Sequence, residues 1–94
     1  MALATKPWDP AEFLDSHEAV AAYIDAALED GDPALVAAAL GDVARARGMS
    51  RIASETGMSR ESLYKALNEK GNPEFGTILR VMKALGLKLA AKPA

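Results

Sequence analysis

The sequence predicts an all-α domain of five main helices, and three observations predict it. Twenty of the 94 residues are alanine, which loses no side-chain entropy in a helix. Runs of Val, Ile and Thr, the material of sheets, are nearly absent. Capping residues and glycines alternate along the chain: Asp, Ser or Asn opens each apolar-periodic segment and Gly closes it. A chain of this length makes one domain with a small core, so folding leans on local propensity or on a second subunit.

Each element follows from that punctuation. Asp9-Pro10-Ala11-Glu12 supplies a cap, a first-position proline and a glutamate three residues after the cap, and predicts a single turn from Pro10 to Leu14. Residues 1–8 carry no period; with this turn they form an N-terminal arm, residues 1–14, ahead of the main domain, residues 15–94. Asp15 with Glu18 repeats the box, and Val20, Ile24, Ala27 and Leu28 follow at helical spacing until Gly31. Asp32-Pro33 opens the next helix, with the stripe Val36, Leu40, Val43 and Ala44, ending at Gly48. Ser50 is the expected cap of a short helix that ends at Gly57, and Ser59 of another that reaches about Glu69. Asn72-Pro73 is expected to cap the last, which carries Phe75, Ile78, Leu79, Met82 and Leu85 before Gly86. The tail Leu87 to Ala91 begins with strand-like alternation, read as a short C-terminal strand or a frayed end.

The charge is divided. Between Met1 and Asp42 nine acids face one base, Lys6, a net of −8, whereas from Val43 onward ten bases face four acids, a net of +6. The basic half suits a polyanion such as nucleic acid, and the acidic half repels that ligand or meets a basic protein. Without cysteine there are no disulfides, thiolate metal sites or thiol catalysis, which suits a reducing cytoplasm. One histidine, His17, cannot hold a metal alone and is expected at the surface. No Walker or GxGxxG pattern occurs, and Gly41 and Gly76 are isolated, so neither a cofactor nor an enzyme is expected. No apolar run approaches a membrane span, and residues 1–8 lack the apolar stretch of a signal peptide.

The stretch from Met49 to Glu69 reads MSRIASETGMSRESLYKALNE, two short helices joined by Gly57-Met58-Ser59. This is a helix-turn-helix pattern. Ala53 is small where the helices approach, Gly57 allows the sharp turn, and Ile52, Met58, Leu63, Ala66 and Leu67 supply apolar faces. Two core helices that merely lie close in sequence are the bland alternative.

A second helix entering the major groove needs polar residues at its start and on its outward side. Removing Leu63, Ala66 and Leu67 leaves Arg60, Glu61, Ser62, Tyr64, Lys65 and Asn68, after Ser59. Arg60 is the candidate for a bidentate contact with guanine, and Ser62 and Tyr64 for a thymine methyl or a phosphate. Glu61 either accepts from cytosine or stabilises the helix N-terminus. Lys65 and Asn68 sit later and suit phosphate. Flanking phosphate clamps are expected at Ser50 and Arg51, and at Asn72 with Thr77, with Arg45, Arg47 and Lys70 adding charge at the edges or serving as solvated bases.

From about Asp15 to Leu89 the chain resembles the addiction-module antidote proteins, HigA-like helix-turn-helix antitoxins of toxin–antitoxin pairs. The segments GDPALVAAALGDVARARGMS, SRESLYKAL and GNPEFGTILRVMKALGLKL carry the resemblance. It implies an Xre/Cro-like, lambda-repressor-like domain that binds its own operator DNA and counteracts a RelE/ParE-like toxin. The family's recognition-helix pattern falls on Ser59, Arg60, Glu61, Ser62, Tyr64 and Lys65. A Cro-like prophage regulator without a toxin, and a helical interaction module that binds no DNA, are the alternatives.

Two partner surfaces are expected besides DNA. Because one recognition helix is a small interface and operators are usually read by two-fold dimers, a homodimer is expected. Its seam is placed on Met82, Leu85, Leu87 and Leu89, which exceed what one small core needs. Trp8, Phe13 and Leu14 beside Asp9, Glu12 and Asp15 form an apolar patch rimmed by acids. That patch suits a basic toxin, unless Phe13 and Leu14 close the core and Trp8 staples the first turn.

Overall fold

The computed structural model describes residues 16–94, which fold into five helices: α1 (His17–Asp30), α2 (Pro33–Arg47), α3 (Met49–Thr56), α4 (Arg60–Ala66) and α5 (Phe75–Ala84). The arm, residues 1–14, lies outside the described residues, and the cap of α1 is Ser16, one residue after the expected Asp15.

α1 starts at Ser16, whose hydroxyl accepts from the Ala19 amide at 3.1 Å. Its apolar stripe buries Val20, Ile24 and Ala27, but Leu28 stays exposed at the helix edge. Gly31, at φ +80°, ends the helix in the left-handed conformation that a Cβ would oppose. α2 opens as expected, with Asp32 accepting from the Ala34 amide and Pro33 at the first position. Leu40, Val43 and Ala44 are buried with Ala37, Ala39 and Gly41, while Val36 is half-buried, so most of α2's circumference meets protein.

α1 and α2 are also tied by polar groups. The Tyr23 hydroxyl donates to Asp42 at 2.6 Å, and Arg45 donates to the other oxygen of the same carboxylate at 2.6 Å. Burial, followed by the hydrogen bond to the Asp42 anion, pushes the Tyr23 phenol up to about 12.

Three further expected boundaries shift. Gly48 both ends α2 and begins α3, so Ser50 lies inside α3 and caps nothing. α4 stops at Ala66 rather than near Glu69, because Asn68 turns back and donates to the carbonyls of Tyr64 and Lys65 at 2.8 and 3.1 Å. α5 begins at Phe75 after Glu74, without a side-chain cap, so Asn72 lies two residues before the cap position and caps nothing. The expected C-terminal strand is absent among the described residues, since no sheet edge is there to pair with it. The Leu87 amide instead bonds to the Met82 carbonyl at 2.8 Å, and the tail crosses α1, where Lys92 Nζ lies 3.6 Å from Glu29.

One core gathers Val20 and Ile24 of α1, Leu40 and Val43 of α2, Ile52 of α3, Leu63 of α4 with Leu67 just past its end, and Val81 and Met82 of α5. No helix among the described residues is long and apolar enough to cross a membrane.

Candidate nucleic-acid interface

The stretch from Met49 to Glu69, where a helix-turn-helix is expected, folds as α3, a three-residue connection and α4, followed by Leu67 to Glu69. Gly57 adopts φ +76°, and the Met58 amide reaches the Ala53 carbonyl at 3.0 Å, so the chain reverses within one turn. Ala53, expected small at the approach of the two helices, is buried. Inside α3 the Thr56 hydroxyl donates to the carbonyls of Ile52 and Ala53, which satisfies a polar group that is otherwise buried.

α4 is seated by two side chains and a backbone approach. Leu63 and Leu67 have no exposed surface. Gly41 lies so close to the Leu67 carbonyl that an added Cβ would overlap it, which makes this glycine the seat for the end of α4. Sequence reasoning passed over it, because its partner is distant in the chain.

At the start of α4, the Ser59 hydroxyl accepts from the Ser62 amide at 3.0 Å and donates to the Ser62 hydroxyl at 2.9 Å. Both serines therefore hold the helix start together while remaining exposed. Arg60, Glu61, Tyr64 and Lys65 are exposed, and among the described residues none of their charges is ion-paired. The Arg60 guanidinium lies 5.8 Å from the centre of the Tyr64 ring, one turn on, so each side chain restrains the other. Glu61 stands in the first turn, where an acid favours the helix dipole.

The outlying positions separate. Ser50 and Arg51 are exposed at the start of α3, and Arg51 Nε donates to Glu55 at 3.1 Å. Asn72 is exposed in the loop before α5. Asn68 uses its amide nitrogen for the end of α4 and accepts the Lys70 amide at 2.7 Å, so it serves the backbone rather than a phosphate. Thr77 is buried on α5 and presents almost no surface to a ligand. Met82 and Leu85, expected at a dimer seam, are each 4% exposed because they fill the protomer's own core; Leu87 is half-buried and Leu89 exposed. Of the charges expected at the edges, Arg45 is held by Asp42, Lys70 is exposed, and Arg47 lines a cleft with His17, Arg51 and Lys83. The toxin candidates Trp8, Phe13 and Leu14 lie outside the described residues.

Among the described residues no group of three or more His, Cys, Asp or Glu could hold a metal ion. What the site offers is a short helix with polar, unpaired side chains on one side and a packed, capped frame on the other.

Comparison with known proteins places the chain in a family. A Haemophilus influenzae (strain ATCC 51907 / DSM 11121 / KW20 / Rd) relative, described as an uncharacterized protein, is 51% identical over 83 residues, covering 88% of this chain and 86% of the relative. No solved structure matches the chain. Residues 4–93 match the family described as probable addiction module antidote protein, and the chain belongs to that family.

Proposed function

We propose that this protein is the DNA-binding antitoxin of a type II toxin–antitoxin module, which represses its own operon and neutralises a RelE/ParE-like toxin by direct binding in the cytoplasm. Membership of an antidote family implies a toxin partner in general, and it favours the antitoxin over a prophage regulator that has none. The role is regulatory, not catalytic. The observation that carries DNA binding is α4 itself: Leu63 and Leu67 are buried, while Arg60, Glu61, Tyr64 and Lys65 stand exposed and without ion pairs among the described residues. Arg60 is assigned to a guanine, Tyr64 and Ser62 to a thymine methyl or a phosphate, and Lys65, Ser50, Arg51 and Asn72 to the backbone.

On DNA the protein acts as a homodimer, since one seven-residue helix reads too few base pairs for an operator. With Met82 and Leu85 inside the protomer, the seam falls to Leu89 and to Phe75 and Leu79, which are 65% and 43% exposed on α5. The toxin is assigned to the acidic side: α1 carries Glu18, Asp25, Glu29 and Asp30, which would speed the approach of a basic partner.

Sequencing the DNA fragments selected by the purified protein tests this. The expected product is a two-fold repeat with half-sites about one helical turn apart. Random sequence, or no recovery, would refute the operator reading.

A further inference from the structure

Arg47, at the end of α2, has two nitrogens, Nε and Nη2, that are buried without a hydrogen-bond partner among the described residues. A guanidinium cannot escape such a position by losing its proton, so each empty donor favours an acceptor. Arg47 lines a cleft of about 220 Å³ together with Arg51 of α3, Lys83 of α5, His17 and Gly86. Three basic side chains from three different helices therefore line one concavity, and no carboxylate lines it among the described residues. Arg51 has Glu55 as a neighbour, but neither Arg47 nor Lys83 is ion-paired among the described residues.

The C-terminus of α5 borders the cleft, and its partial negative charge disfavours an anion, a cost that the cations must outweigh. The last carbonyls of α5 are occupied: Val81 accepts from the Leu85 amide at 3.0 Å, Met82 from Leu87 at 2.8 Å and Lys83 from Gly86 at 3.0 Å. The cleft also opens where α3 begins, and in a helix-turn-helix the first helix crosses the DNA backbone.

We propose that this cleft clamps one backbone phosphate of the DNA beside the base pairs read by α4, with Arg47 and Lys83 as its anchors. This rests on the DNA-binding reading and extends the interface from the recognition helix to the far end of α5. A phosphate oxygen would accept from Arg47 and neutralise the cations that the fold crowds together.

The test uses the full chain and two duplexes, its own promoter fragment and an unrelated fragment, titrated over a range of salt. Lys83→Gln and Arg47→Gln are each expected to flatten the salt slope by about one unit on both duplexes, as loss of one phosphate contact does. Arg80→Gln, on α5 but outside the cleft, is expected to leave the slope unchanged. Lys83 is exposed, so its variant carries the test even where Arg47→Gln does not fold. An unchanged slope for Lys83→Gln beside a salt-dependent wild type overturns the clamp alone. The same is true if inorganic phosphate raises the melting temperature of the wild type but not of Lys83→Gln while the slopes agree, because the cleft would then hold a free anion. A wild type without salt-dependent DNA binding overturns the DNA-binding reading, and the clamp with it.

Discussion

α4 presents two sides that the fold treats in opposite ways. Inward, Leu63, with Leu67 just beyond the helix, has no exposed surface, and Gly41 of α2 makes room for the Leu67 carbonyl. Outward, Arg60, Glu61, Tyr64 and Lys65 have solvent around them and touch little beyond one another. Inward residues fix where the helix lies, and outward residues are free to meet a ligand. Stability and the proposed DNA contact are therefore separable on a single seven-residue helix.

The largest expected effects lie on the inner side. Leu63→Ala removes a fully buried side chain and is expected to cost about 2–5 kcal/mol. At roughly 4–8 °C per kcal/mol for a domain of this size, thermal melting followed by circular dichroism would register it plainly. Gly41→Ala acts on the same joint from the α2 side. Alanine would ordinarily help a helix by about 1 kcal/mol, but overlap with a backbone carbonyl that has nowhere to go outweighs that gain. A melting temperature for Gly41→Ala at or above the wild-type value would show that α4 is not seated there.

On the outer side, Arg60→Ala is expected to leave melting within a degree or two. On DNA it should cost about 1–3 kcal/mol and relax the preference at one base pair. Ser59→Ala falls between the two sides, because its hydroxyl receives the Ser62 amide and orients the Ser62 hydroxyl. It is expected to lower stability by about 1 kcal/mol, read from a denaturant midpoint at constant slope.

The smallest effect lies away from α4. Tyr23 has its phenol raised from 10.0 to about 12 by burial and by Asp42, so its neutral form stabilises the fold below pH 10. That contribution is lost as pH rises through about 12. Melting curves between pH 9 and 12 should fall more steeply for the wild type than for Tyr23→Phe; parallel curves would mean that the link between α1 and α2 does not depend on this proton.

Legibility in the sequence followed the range of the interaction. Asp32 and Ser59 act on amides two or three residues away, and both were readable as caps. The inward set Ile52, Ala53, Leu63 and Leu67 was readable from helical spacing, and all four are buried. Ser50 was misread because a glycine, Gly48, makes both ends of that corner with its backbone alone. Asn68 resembled a polar contact residue and is a helix terminator, a choice decided by where its side chain turns. Gly41, the unpartnered Arg47 and the burial of Met82 and Leu85 depend on residues far along the chain, so spacing alone could not reveal them.

The division of α4 into a seated side and a reading side is tested most directly by titrating wild type, Arg60→Ala and Lys65→Ala against the protein's own promoter fragment and a scrambled one at several salt concentrations. Wild type should prefer the promoter and lose affinity steeply with salt. Arg60→Ala should lose the preference, while Lys65→Ala should keep it, binding both fragments more weakly with a slope smaller by about one unit. If both variants bind both fragments as the wild type does, α4 does not enter the groove.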